Sequence, residues 1–449
     1  MFVKPTGLGL IGKLAKWLFS YLLSDIYQWS HTMSNSVYVI GAHCTPFQRW
    51  PEKGFKELTR DAYLGAVQDA QLEDPQAIEA AWFGNCVMHY WGQPMVRGNV
   101  SFIPLVREGL FRDRAPIMNV EGACATGTLA LAGAYREIQA GEADITVAVG
   151  VEKLFDPQNP AGMLPEFGKG ADQLDPHEWL DHYKALGERL GQPFSPEPNR
   201  SIAMDTYAMQ ARLHMALHGT TREQIAAACA KSHTNGSLNP LAQYRFPMTT
   251  QQVLDDRMVA DPLTRSMCAP LGDGAAAAIL CSEQYLQGLP ARVRERAIRI
   301  RAISFSGGKY RADNEPGLSR AAADKAYRSA GLGPQDIDLA EVHDATSFCE
   351  IYQSEMLRFC EIGQGGAFAA SGASALDGKV AINASGGLVS KGHPIGATGL
   401  SMCSEIVSQL RGEAGPRQVK NARIGMQQNG GGIVGLEEFL CGIAIYEGP

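Results

Sequence analysis

From Val37 onward the chain alternates short β-branched or apolar runs with helix-length segments, a pattern that predicts a parallel-sheet α/β architecture. Val37-Tyr38-Val39-Ile40-Gly41 reads as a strand and residues 55–70 as a helix. Further strands are expected around Trp82-Phe83, over 117–120 and over 145–150, with a small-residue helix over 123–140. The second half repeats this order in its residues. Ile78 to Phe83 after Asp74-Pro75-Gln76 matches Ile337 to Val342 after Gly333-Pro334-Gln335, each a proline turn leading into a strand. Likewise Asn119, followed by Gly122-Ala123-Cys124-Ala125-Thr126-Gly127, faces Asn383, followed after an insertion by Gly396-Ala397-Thr398-Gly399. Two similar halves imply a duplicated α/β unit.

The organisation expected is a first half over 34–156 and 246–292, an inserted helix-and-loop excursion over 157–245, and a second half over 293–449. The excursion carries many Pro, His, Trp and charged residues with weak strand signals, and insertions of this size often cover an active site. Residues 1–33 leave two readings open: a segment outside the fold, or an amphipathic helix in which residues 1–32 touch a membrane surface. Their apolar run from Trp17 to Leu23 is far short of the ~20 residues a bilayer span needs.

The 449 residues suffice for two or three packed units. Forty Lys plus Arg against 47 Asp plus Glu give a net charge of −7, which excludes a basic nucleic-acid footprint. A phosphate-bearing ligand must then be held locally. The ten cysteines contain no CxxC pair, which argues for reduced thiols and a cytoplasmic setting rather than a disulfide scaffold or zinc ribbon. His89, His177, His182, His214, His218 and His233 bring no HExxH motif, so no metal site is expected.

Three segments could carry chemistry. Cys124 sits where the strand before it turns into a small-residue helix, so the helix dipole and free N–H groups should favour a thiolate and make a nucleophile. The alternative is an ordinary packing cysteine. His393 lies in the glycine-crowded run 383–399, where the backbone can approach a ligand closely and the ring can face a carbonyl oxygen. His343 and Asp344 end a strand at the sheet edge where open α/β folds place ligands.

Gly-x-Cys-Ala-Thr-Gly at Cys124, His343-Asp344 and the run Gly392-His393-Pro394-Ile395-Gly396-Ala397-Thr398-Gly399 together resemble the thiolase superfamily, most closely its sterol-carrier-protein type. The resemblance runs from about Val37 to the C-terminus and includes Thr45-Pro46-Phe47 and Asp273-Gly274. It implies a five-layered αβαβα fold of two βαβαβαββ halves with an inserted loop domain, commonly a homodimer, in some cases with a small accessory subunit. The implied activity is acyl transfer to or from acetyl-CoA or CoA through a Cys124 acyl-thioester, as 3-ketoacyl-CoA thiolysis or Claisen condensation, with CoA thioesters as substrates and no permanently bound cofactor. His393 would activate the thiol or donate to a thioester oxygen, His343 would stand where other thiolases have Asn, and the backbone N–H groups of Cys124 and Gly431 would form an oxyanion hole, with Asn429 and Asp344 in support.

The departures from that pattern bear on the reaction. The resemblance calls for a second cysteine to move a proton at an α-carbon, and its two familiar positions hold Ala345 and Asn429, neither of which can shuttle a proton near neutral pH. Three accounts stay open. Cys349 stands four residues on and could be a displaced thiol; a Cys-His-His set could serve a decarboxylating or non-carbon-acceptor acyltransferase; or the protein could bind acyl-CoA or lipid with catalysis impaired.

Overall fold

The computed structural model describes residues 36–449. The N-terminal segment and its two readings lie outside the described residues. The first half runs β1 (Val37–Cys44), α1 (Phe55–Asp69), β2 (Ala80–Gly84), α2 (Arg97–Arg107), β3 (Ile117–Val120), α3 (Thr126–Gln139) and β4 (Ile145–Glu152). The chain then leaves the sheet for α4 (Pro176–Arg189), α5 (Ile202–His218), α6 (Arg222–Ser237) and the small hairpin β5 (Met258–Ala260) and β6 (Leu263–Thr264), returning at β7 (Gly274–Ser282). The second half follows as β8 (Ile298–Gly307), α7 (Leu318–Ala330), β9 (Leu339–Val342), α8 (Ser347–Met356), β10 (Ala381–Ile382), α9 (Ile395–Leu410), β11 (Ile424–Gly431) and β12 (Leu440–Glu447).

The strands form one ten-stranded sheet in the order β10-β9-β11-β12-β8-β1-β7-β4-β2-β3. Read outward from the β8–β1 seam, the halves are the same. In each, two antiparallel steps lead to three parallel strands. The residue repeat therefore maps β2 onto β9, and each is preceded by a single 3-10 turn, Pro75–Ala77 or Pro334–Asp336. The seam itself is short, pairing Val37, Tyr38 and Val39 with Ile300, Arg299 and Ile298.

Period-two alternation sorts the strand residues into layers. In β7, Ala275, Ala277 and Ile279 join Leu58, Tyr63 and Phe102 of α1 and α2 in one core. Ala276, Ala278 and Leu280 face the other way, onto Leu131 of α3 and Leu400 of α9. The same inner core takes in Leu339, Ala444 and Tyr446 of the second half, whose outer face is covered by Leu318, Ala322 and Ala326 of α7. The five layers are thus outer helices, first half-sheet, the α3–α9 pair, second half-sheet, and outer helix.

The inner pair packs backbone on backbone. A Cβ at Gly127 of α3 would stand 2.8 Å from the Gly399 nitrogen of α9, and one at Gly399 would run into the Thr128 backbone. The excursion covers the sheet end beside these helix starts: α4 and α5 pack Trp179, Tyr183, Met209 and Leu213 against Ile433 and Leu436 after β11. Residues 246–273, which the sequence assigns to the first half, carry Val253, Ala260, Leu263 and Met267 into the core of α5 and α6. No helix of the described residues is long and apolar enough to cross a membrane.

Replacing Gly399 by Ala should destabilise the protein by about 2 kcal/mol, the scale of overpacking in a tight core. Urea unfolding measures this, and a change under about 0.5 kcal/mol would contradict the close helix contact.

Candidate active site

Cys124 stands on a strained turn. Ala123 before it takes φ 49°, the left-handed region that side chains disfavour, and a 3-10 turn over Ala123–Ala125 leads into α3. Several groups hold the turn in this shape. The Gly122 N–H donates to Thr126 Oγ1 (2.8 Å), the Ala123 N–H donates to Glu121 (2.6 Å), and Cys86 Sγ lies 3.2 Å from both the Ala123 carbonyl and Thr126 Oγ1. Gly431, at the end of β11, lies directly over the turn. A Cβ there would be 2.7 Å from the Cys124 nitrogen and 2.5 Å from that of Ala125, so only glycine lets the strand come this close.

His393 arrives from the other half, just before α9. Its Nδ1 lies 2.7 Å from Thr398 Oγ1, and that hydroxyl donates to the Pro394 carbonyl (3.1 Å). With the hydroxyl proton committed, the network assigns the imidazole proton to Nδ1 and leaves Nε2 as an acceptor. His343, from the end of β9, sets its Nε2 3.4 Å from His393 Nε2, while its Nδ1 is buried without a partner. The donor atoms of Cys124, His343 and His393 all lie within 4.8 Å of one another.

These three groups rest uncharged. Burial alone takes His343 down to about 4, and burial with His343 as neighbour takes His393 well below the ordinary imidazole range. Burial, then the Glu438 and Glu121 carboxylates, push the Cys124 thiol up to about 12. This corrects the sequence expectation of an acidified thiol, because enclosure and two nearby acids outweigh the helix N-terminus. A thiol and two imidazoles are also a donor set of the kind that holds a divalent ion such as zinc.

Cys124, His393 and Ala345 share the lining of a cavity of about 460 Å³ with the apolar side chains Phe167, Met204, Tyr207 and Ile433 and the cations Arg97, Lys169 and Arg200. The remaining sequence candidates lie outside that lining. Asn429 turns toward α3, its Oδ1 accepting from Thr128 Oγ1 (2.8 Å). Asp344 is fully buried, accepts from the Leu388 N–H (2.6 Å), and is held well above the carboxylate range by that burial. Cys349 packs in the α5–α6 core, 3.4 Å from Thr346 Oγ1. The i, i+4 pair His214 and His218 is no ligand set; His214 is bonded to Thr220 and Glu355 (2.9 and 3.0 Å) as a satisfied core group.

Sequence reasoning passed over three buried acids. Asp273 is a hub that accepts from the N–H groups of Trp50, Leu154 and Phe155 and from Lys153 Nζ. Glu152 accepts from the N–H groups of Cys86, Val87 and Gly396 and from the Asn85 amide, tying β2, β4 and α9 together; burial pushes it up to about 7. Glu438 sets Oε1 4.0 Å from His343 Nδ1. The one signal in the sequence was an acid ending an apolar run, as at Glu152.

The family model described as "Thiolase, N-terminal domain" matches residues 37–284, and the "Thiolase C-terminal domain-like" model matches 311–439. The chain belongs to the thiolase family. An acetyl-CoA acetyltransferase of Methanothermobacter thermautotrophicus is 36% identical over 89% of this thiolase and 97% of its own length. Sterol carrier protein 2 of Bos taurus is 34% identical over 90% of this chain and 72% of its own. Among solved structures, the Ltp2-ChsH2(DUF35) aldolase superposes with a TM-score of 0.70 at 19% identity, covering 92% of this chain and 98% of that one.

The lowered His343 makes the thiolase acid-sensitive. The unfolded chain binds more protons than the folded one between about pH 6.5 and pH 4, so stability falls as pH drops through that window. Wild type should lose about 2 kcal/mol more than His343→Gln between pH 7 and pH 5. Parallel unfolding curves at the two pH values measure it, and equal losses would show that the buried imidazole is not held neutral.

Proposed function

We propose that this thiolase transfers acyl groups from CoA thioesters through an acyl-thioester on Cys124. The observation that supports the reading most is the convergence of the Cys124 thiol with two neutral imidazoles, Cys124 and His393 lining an apolar cavity that also holds cations and His343 buried behind them. His393 Nε2 takes the thiol proton as Sγ bonds to the acyl carbon. The oxyanion forms against the Cys124 N–H, beside the Gly431 backbone, where a preorganised donor is worth about 3 kcal/mol. The C–S bond to CoA then breaks, and the proton on His393 passes to the departing sulfur, giving free CoA. Arg97, Lys169 and Arg200 suit the CoA phosphates.

A specific observation favours transfer without α-proton abstraction, to a carbanion made by decarboxylation or to a non-carbon acceptor. Of the positions that could supply a second thiol, Ala345 lines the cavity with a methyl group, Asn429 turns to Thr128, and Cys349 lies outside the lining. For assembly, the reading includes a homodimer and a small accessory chain of the kind named for the aldolase, which pairs with a DUF35 protein.

Intact-mass spectrometry after incubation with acetyl-CoA and longer acyl-CoAs should show an acyl adduct on wild type and none on Cys124→Ala, with one free CoA released per adduct. An adduct that persists without β-ketoacyl product would support the second reading. No adduct at any chain length would overturn acyl transfer and leave a binding role.

A further inference from the structure

Between β11 and β12 the chain makes a tight return closed by mutual backbone bonds between Val434 and Glu437 (2.9 and 3.2 Å). The return carries two acids inward, and their surroundings differ. Glu437 accepts from the N–H groups of Lys309 (2.7 Å) and Leu318 (2.9 Å), clamping β8 to α7. Glu438 accepts from no side chain or other residue's N–H among the described residues, yet only 9% of its side chain is exposed. Its carboxyl comes in over Gly430, where a Cβ would stand 2.8 Å from Cδ and Oε1, so the glycine makes its place.

That carboxyl faces the one open atom of the histidine pair. His343 Nδ1 is buried and unpartnered, with Glu438 Oε1 4.0 Å away, and the ring's other nitrogen meets His393. Acid, His343, His393 and Thr398 thus form a row beside Cys124. Among charged groups, Glu438 acts most strongly on the Cys124 thiol. Burial pushes Glu438 itself up to about 7, so it changes charge in the neutral range.

We propose that Glu438 is a positioning residue for the acyl-transfer reaction, its carboxylate being the counter-charge that lets the His343–His393 pair hold a proton while Cys124 is acylated. This rests on the Cys124 reading above. During attack the thiol proton moves to His393 Nε2 while the Sγ–carbon bond forms, which places an imidazolium where burial opposes a cation. A carboxylate on the far side of His343 offsets that cost. When the carbon–sulfur bond to CoA breaks, the proton goes to the CoA sulfur and the row returns to its resting charge.

The other groups facing Glu438 are Glu437 and Arg311, and the tyrosines and cysteines Tyr183, Tyr207, Cys349, Tyr352 and Cys441, which burial keeps protonated at neutral pH. Glu152 also titrates near 7 and acts on Cys124 more weakly, so a variant has to separate the two acids.

The test is the rate of Cys124 acylation by acetyl-CoA from pH 5.5 to 8.5 in full-length wild type, Glu438→Gln and Glu438→Asp. Wild type should speed up through an apparent pKa near 7. Glu438→Gln should be about 10- to 100-fold slower at pH 8, the range for removing the outer partner of a working histidine, and should lack that rise. Glu438→Asp should restore the rise. A Glu438→Gln variant that keeps the wild-type midpoint, slowed or not, overturns the proposal. Iodoacetamide alkylation of Cys124 gives a second readout that needs no acyl-CoA. Alkylation draws on the same transfer of the thiol proton to His393, so Glu438→Gln should alkylate more slowly than wild type at pH 8, and an unchanged or faster rate overturns the coupling. Failure of wild type to acylate, with that alkylation difference present, falls on the acyl-transfer reading rather than on the link between Glu438 and the thiol.

Discussion

The contact between Gly127 and Gly399, where the starts of α3 and α9 cross with no side chain between them, fixes nearly everything else in the molecule. Cys124 lies three residues before one glycine and His393 six before the other, so the approach of two backbones places a nucleophile from one half beside a base from the other. The same need for thinness runs outward. Gly150 leaves room for the Gly396 carbonyl, and Ala148, Ala276 and Ala278 line the inner sheet face with methyl groups. Any larger side chain in this layer would part the helix starts and with them the thiol and the imidazole.

Around that contact, buried acids divide into two kinds. Glu152 and Asp273 each accept several donors and serve as staples; Glu152 joins the residues after β2 to the first turn of α9. Such an acid is locked by its partners, and its removal would strand several N–H groups. Glu438 differs in lacking those partners. It is an acid with unused capacity beside a histidine with an unused nitrogen, and this pairing of unmet groups sets it apart from the frame.

Much of the fold was legible because strand and helix periods are local. The repeat of Ile78 to Phe83 in Ile337 to Val342 pointed to the duplication, and the two 3-10 turns and matching strand orders bear it out. Cys124 and His393 stood out because glycines crowd them, a local trace of close backbone approach. What could not be read depends on which segments fold over which. The acidity of Cys124 follows from enclosure by the excursion and from Glu438, more than 300 positions along the chain. Asn429 looked like part of an oxyanion site until its strand register aimed it at Thr128. The packing of 246–273 with the inserted helices followed from hydrophobic contacts that the sequence does not order.

The inner helix layer belongs to both halves at once, since Leu131 and Leu400 share one core with Ala276 on one side and Ala444 on the other. The duplication is therefore not a divisible one. A fragment ending after β7 would hold the thiol but present the oily flank of α3 to water, and the complementary fragment would hold both imidazoles with nothing to deprotonate. Each repeat is half of an obligate whole, and Cys124 of a nascent chain has no base beside it until the second half is in place.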